Sequence, residues 1–354
     1  MQTTKADALY AGADLHGNNV FLSVCDAGGA EVFRRKVKTN LDAVNTALNP
    51  YWPNIQQMGV ESTFNWYWFV DGLRAQGRNV ALGNPAQMKQ YSGLKSTDDR
   101  SDARWLAELV RLGIFPQSYI YPEDIRAVRD ALRRRQLFVR RRTQVLLSFT
   151  SLLTRYGLEA PGSRKLQQWT CADIESTGLA PFVQLQLRTL LEAAQHSDRL
   201  AKEIEKAVLE FVKPDEAFER IQQIPGIGAA LGMTILLESG DFSRFSNAGC
   251  YASYCRTVKS ERISNGKKKG ENNQRNGNPY LAWAFIEAAS FAPRFYPEIQ
   301  AWYDRKKKKS LVIVAKKALA SKLAKAVWHV MNGENFKMDI TAVPTFEREI
   351  DVTS

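Results

Sequence analysis

Three short apolar runs parted by turn signals open this chain, and they commit its first third to a sheet. Leu9–Asp14 is the first run. Asn18-Asn19 turns the chain into Val20–Cys25, and Gly28-Gly29 turns it again into Glu31-Val32-Phe33. The pattern then changes. A helix is predicted near Leu41–Leu48, a buried strand over Ile55–Glu61, and an aromatic-rich helix over Thr63–Gln76. A short strand, Asn79–Leu82, stops at Gly83-Asn84-Pro85. From Asp98 onward Ala103, Leu106, Ala107, Leu109 and Val110 recur at helical spacing. Three antiparallel strands followed by alternating helix and strand predict an α/β domain over residues 8–122.

That order of elements is the ribonuclease-H-like pattern. Its carboxylates belong at the end of the first strand, at the end of a later strand and on a C-terminal helix. Asp14 ends the first run and Glu61 ends Ile55–Glu61. Asp99 and Asp102 lie three apart, on one face of the predicted helix. Four acids drawn together repel and need cations between them, and carboxylate oxygens suit Mg²⁺. Each acid also has a structural reading. Asp14 can be a turn residue, Glu61 can cap the following helix, and Asp98 can be the N-cap of the helix carrying Asp99 and Asp102. The adjacency of Asp98 and Asp99 leaves open which of them is the third acid.

Residues 123–212 contain no strand pattern. Arg133-Arg134-Arg135 and Arg140-Arg141-Arg142 flank Leu137-Phe138-Val139 in a long predicted helix, which Pro161-Gly162-Ser163 is expected to break. A second long helix is predicted from about Pro181 to Val212. Two such helices suggest a coiled-coil arm for dimerisation or spacing. A mainly helical C-terminal domain follows over 213–335, then a loosely held tail over 336–354. Within the domain, Ile224-Pro225-Gly226-Ile227-Gly228 reads as the turn of a helix-hairpin-helix element. Gly226 and Gly228 would let the backbone approach a phosphate. The alternative is an ordinary glycine turn between helices. Next comes a Gly/Asn/Lys segment of about two dozen residues, read as a long functional loop. It holds Ser264, Lys267, Lys268, Lys269 and Arg275. A serine can attack a phosphate if the site activates it. Ser260 competes for that role but lies farther from the lysines. Lys306–Lys309 form a second basic run.

Charge points the same way. The 354-residue chain carries a net charge of +12, yet residues 1–120 hold 12 Lys and Arg against 11 Asp and Glu. Nearly all the excess therefore lies outside the acid-bearing part, as expected for a surface that binds a polyanion. At 44% hydrophobic and 24% charged residues the chain should be folded rather than disordered. Cys25, Cys171, Cys250 and Cys255 form no CxxC pair, which disfavours a zinc site or a disulfide framework. His16, His196 and His329 are scattered and give little support for a histidine metal site. No Walker A loop or dinucleotide fingerprint is present, so nucleotide hydrolysis is not favoured. A reducing cytoplasm and no membrane span are expected.

Six segments, in order, resemble a known family. They are Ala13-Asp14, Val60-Glu61-Ser62-Thr63, Thr97-Asp98-Asp99-Arg100-Ser101-Asp102-Ala103, Ile224-Pro225-Gly226-Ile227-Gly228, Ser264-Asn265-Gly266-Lys267-Lys268-Lys269-Gly270 and Asn276-Gly277-Asn278-Pro279-Tyr280-Leu281-Ala282-Trp283-Ala284-Phe285. The chain looks like the DEDD transposases of insertion-sequence family one-ten, subgroup eleven-eleven, over about residues 8–335. The resemblance narrows the first domain to a RuvC-like one and implies an RNA-guided DNA recombinase with Mg²⁺ at Asp14, Glu61, Asp99 and Asp102. It implies a phosphoserine intermediate at Ser264. It also implies a non-coding bridge or seek RNA, target and donor DNA, a dimer that becomes a tetramer at synapsis, and a bacterial, nucleoid-associated location. A junction-resolving metal nuclease would need the acids but not Ser264. A non-catalytic nucleic-acid scaffold would need only the basic surface.

Overall fold

A computed structural model of the chain describes residues 7–94, 99–258, 261–265, 267–271, 276–337 and 345–348. Chain contacts separate two units, Met1–Ile120 and Tyr121–Ser354. The division falls where the charge changes from nearly neutral to strongly basic.

The first unit is a three-layer α/β domain. Strands β1 (Leu9–Leu15), β2 (Asn19–Asp26) and β3 (Glu31–Lys38) form an antiparallel meander. After helix α1 (Leu41–Leu48), strand β4 (Ile55–Glu61) returns parallel to β1. After helix α2 (Tyr67–Ala75), strand β5 (Val80–Gly83) adds in parallel beside β4. The sheet order is β3-β2-β1-β4-β5. Helix α3 (Pro85–Met88), a 3₁₀ turn and helix α4 (Asp99–Arg111) complete the unit. Alternation decides the layers. Ala11, Ala13 and Leu15 of β1, with Met58 and Val60 of β4, pack with Val44, Leu48, Phe69, Val70 and Leu73 of α1 and α2. Ala81 and Tyr10 face the other way, into a cluster with Leu106, Leu109 and Val110 of α4. Two expectations shift. Strand β3 runs on to Lys38 instead of stopping at Phe33. Helix α2 starts at Tyr67 rather than Thr63, because Thr63 and Asn65 are used in the loop before it.

The second unit is mainly helical. Helix α5 (Glu123–Arg155) and helix α8 (Pro181–Val212) lie antiparallel, joined through the short helices α6 (Ser163–Leu166) and α7 (Cys171–Glu175). Arg135 pairs with Glu205 at 2.7 Å and Arg142 pairs with Asp198, so the two helices keep step over these seven residues. Leu146, Phe149 and Leu153 of α5 meet Leu187, Leu191 and Ala194 of α8 farther along. The helix end differs from expectation: Gly157, at φ +73°, terminates α5 well before Pro161. Leu158 N–H there reaches back to Leu153 O at 3.1 Å. The root of this pair shares a core with the helices C-terminal to it. Leu132, Val208 and Val212 pack with Phe218, Met233 and Leu237, so residues 123–212 and the C-terminal helices form one unit.

Helices α9 (Glu216–Gln222), α10 (Ala229–Ser239) and α11 (Ala248–Tyr254) precede a hairpin of β6 (Glu261–Ser264) and β7 (Lys267–Glu271). Helices α12 (Pro279–Phe295), α13 (Pro297–Lys309) and α14 (Val312–Met331) follow. Strands β8 (Glu334–Lys337) and β9 (Thr345–Arg348) pair antiparallel. No helix among the described residues is long and apolar enough to cross a membrane.

Candidate active site

Two adjacent parallel strands hold the first two acids. Gly12 pairs with Gly59 and Ala13 with Val60, so Asp14 and Glu61 are the next residues along their strands. Residues in register share a face. Asp14 has the parity of Gly12 and Glu61 that of Gly59, and both glycines lie under α4. A Cβ on Gly12 would stand 2.0 Å from Ala103 O and 2.5 Å from Ala107 N, and one on Gly59 would stand 2.7 Å from Val110 Cγ2. The two missing side chains let α4 lie directly on the sheet. Its direction follows from its far end. Arg111 donates to Ala27 O at 3.0 Å, in the turn after Asp26, and Asp26 pairs with Leu9 at the start of β1. Helix α4 therefore runs antiparallel to β1 and brings its first turn, with Asp99 and Asp102, to the sheet end where Asp14 and Glu61 stand.

Two of the structural alternatives for these acids do not hold. Asp14 lies inside β1, paired with Phe21, and is not a turn residue. Glu61 does not cap α2, whose N-cap position is Trp66 and carries no side-chain cap bond. Asp98 and the Asp99 side chain lie outside the described residues. Among the described residues no group of three acids, histidines or cysteines forms a ready metal cluster. The donor chemistry still fits a hard cation. Asp14 and Glu61, in register on one sheet face, and Asp102 of α4 offer only carboxylate oxygens, although as they stand the three do not form a metal-holding group.

The loops behind the acids contain residues that the sequence did not single out. His16 Nε2 is 2.9 Å from Asp14 Oδ2, an ion-pair distance rather than an aligned hydrogen bond. Asn65 Nδ2 donates to His16 O at 2.9 Å, while Thr63 Oγ1 donates to Asn65 Oδ1 at 2.9 Å. Asn65 thus ties the segment after β4 to the end of β1. Phe64 beside it is 86% exposed.

Ser264, in the second unit, is the last residue of β6 and pairs with Lys267. Part of the expected long loop is therefore an antiparallel pair of strands within Glu261–Glu271. Asn265 sits at φ +50°, the left-handed conformation that a two-residue hairpin turn asks of Asn. Asn-Gly between two strands was the available signal. Lys267 and Lys269 are exposed, whereas the side chains of Ser264 and Lys268, together with Ser260 and Arg275, lie outside the described residues. Gly226 approaches helix α12 closely: its φ is +82° and a Cβ would stand 2.4 Å from Ala288 O. Nothing crowds Gly228, where α10 begins. On α13, Lys306, Lys308 and Lys309 are exposed. Lys307 pairs with Asp304 at 2.8 Å, which raises its own pKa. All four cysteines are free thiols, and burial pushes Cys25 up to about 11.

A family model described as Transposase, for DEDD transposases of IS110, matches residues 11–158 and so spans the acids. A second, described as Transposase IS116/IS110/IS902 family, matches residues 218–304 and spans the Ser264 hairpin. In both matched segments the chain is similar to transposases of the IS110/IS116 family. Among curated relatives, the transposase for insertion sequence element IS1111A of Coxiella burnetii is 23% identical over 290 residues, covering 80% of this chain and 77% of its own length. A probable family 20 transposase of Pseudomonas aeruginosa is 25% identical over 280 residues, covering 76% of this chain and 81% of its own. These names speak of transposition, and one of the models carries the letters DEDD. None mentions a serine, a metal or an RNA.

Proposed function

We propose that this chain is a transposase that cuts and rejoins DNA strands using Asp14, Glu61, Asp99 and Asp102 as metal-holding carboxylates and Ser264 as nucleophile. We further propose that a non-coding guide RNA selects target and donor DNA. The observation that carries the reading is the common register of Asp14 and Glu61 at the sheet end toward which α4 directs its first turn. Two carboxylates in register at one sheet end repel unless a cation sits between them, which supports a metal role over a structural one. Mg²⁺ held there would neutralise charge at a phosphate and lower the pKa of the attacking oxygen.

In this reading Ser264 Oγ forms a bond to a phosphodiester phosphorus, and the bond from phosphorus to the departing sugar oxygen breaks. The serine proton passes to a site carboxylate, and the departing oxygen takes up a proton. One phosphoester replaces another, so rejoining is the same chemistry reversed onto a new strand end. Lys267 and Lys269 flank the serine to hold phosphates, and the exposed lysines of α13 add non-specific attraction. The site of action would be the bacterial cytoplasm, where the DNA lies.

The test is a covalent protein–DNA adduct on a denaturing gel, with copurified RNA supplied. The parent protein should form the adduct, and Asp14→Asn and Ser264→Ala should each fail to. Cleavage that survives in Ser264→Ala would instead mark a metal nuclease using water. Nucleic-acid binding without cleavage in the parent would mark a scaffold.

A further inference from the structure

Glu238, near the end of α10, is 1% exposed. A buried carboxylate is costly unless every lone pair is used. Here Arg133 of α5 donates Nε to Oε1 at 2.5 Å and Nη2 to Oε2 at 2.7 Å. Asn278 Nδ2 donates to Oε2 at 2.7 Å. The Glu238 backbone carbonyl accepts from Tyr121 Oη at 2.6 Å. Asn278 also caps α12, because its Oδ1 accepts from Tyr280 N and Leu281 N at 2.8 and 3.2 Å. One amide therefore joins a buried ion pair to the start of a helix, and these bonds fix which way it faces.

The backbone of Asn278 closes the root of the hairpin that carries Ser264. Its N–H donates to Tyr254 O at 2.7 Å, and Arg256 Nε donates to Asn276 O at 2.9 Å. Gly277 passes so near that a Cβ would stand 2.3 Å from Tyr254 O. Arg256 takes φ +56° to make the turn. Thr257, buried, anchors the incoming strand through two bonds to Ala252 O. Residues 254–257 and 276–278 are thus stitched together just before the chain leaves for β6 and just after it returns from β7.

We infer that Arg133, Glu238 and Asn278 are positioning residues for strand cleavage, fixing the direction in which the β6–β7 hairpin presents Ser264. The inference rests on the proposed role of Ser264. A packed apolar plug could close this root equally well for stability. The network instead sets one orientation, because a rotated Asn278 would leave both the cap and the buried carboxylate short of a partner. Helix α5 enters the same device through Arg133, so the arm and the serine hairpin share one anchor.

The test uses the full chain with its nucleic acids and single-turnover kinetics. Asn278→Ala and Glu238→Gln should slow adduct formation by about ten- to a hundredfold, with DNA affinity within about twofold of the parent. The exchanged pair Glu238→Gln with Asn278→Asp keeps the charge, the helix cap and a bond between the two side chains but gives up one of the two Arg133 bonds, so it should restore part of the rate. Adduct formation at the parental rate in both single variants would overturn the inference. So would rate, affinity and melting temperature falling together with no rescue by the exchanged pair. Ser264→Ala and the parent are run alongside. If the parent forms no Ser264-dependent adduct, the proposed function fails and the network is judged by amide exchange. Glu238→Gln should then raise exchange across 276–281 without raising it in the α5–α8 pair, and unchanged protection would overturn the inference.

Discussion

Gly12 shows how one absent side chain sets a site. Gly12→Ala would push a methyl group against the α4 backbone, which cannot rotate aside as a side chain can. It should cost about 2–3 kcal/mol in denaturant unfolding and displace the helix that carries Asp99 and Asp102. A variant as stable as the parent would mean that α4 does not lie on β1 as described. Asn65 acts without touching the acids' carboxylates, by holding the His16 carbonyl at the end of β1. Asn65→Ala should reduce cleavage about ten- to a hundredfold with little change in melting temperature, and a chelator-competition assay should show weaker metal binding. Asp14→Asn should abolish cleavage and leave RNA binding intact, since Asp14 belongs to the nearly neutral unit.

The α5–α8 pair depends on charge at its middle. Burial works to raise the Asp198 carboxyl, but hydrogen bonds from Lys202 and Arg142 outweigh it and hold the group below its ordinary 3.8. A carboxyl lowered in the folded state adds stability above its unfolded value and loses it as pH falls through its folded one. Protection of the α5 and α8 amides, measured against their intrinsic exchange at each pH, should therefore fall as pH drops below about 4, the ordinary carboxylate range. Asp198→Asn should cost about 1–2 kcal/mol at pH 7, and its difference from the parent should shrink at pH 3. A difference independent of pH would remove the ion pair from the account. The Ser264 hairpin teaches a converse lesson. Its composition of Gly, Asn and Lys reads as loop, yet Ser264 pairs with Lys267 and Asn265 between them takes the left-handed turn conformation. Composition concealed what the turn dipeptide declared.

At the scale of the molecule, charge divides where the chain divides. Nucleic-acid affinity should fall steeply with salt, because bound phosphates release counterions. Neutralising Lys306–Lys309 together should lower the log–log salt slope by about three rather than four, because Lys307 is already paired with Asp304. Target choice should not change. Ser264 and the acids belong to different units, which makes exchange between protomers testable by mixing. Inactive Asp14→Asn and inactive Ser264→Ala proteins should together recover part of the adduct formation. Hetero-oligomers that stay inactive would mean that each site is completed within one chain.

Local pattern alone determined the sheet strands, the two long helices and the positions of Asp14 and Glu61, because period-two alternation and turn residues act over a few neighbours. The common sheet face of Asp14 and Glu61 followed from register, which no single strand contains. The burial of Glu238 was not legible either. Its partners Arg133 and Asn278 lie 105 and 40 residues away in the chain, and a Glu in a helix reads as solvated unless the packing brings them to it. Tertiary structure decided these points because burial and register arise only when distant segments meet. Residue identity had already settled where each segment would turn, cap or stop.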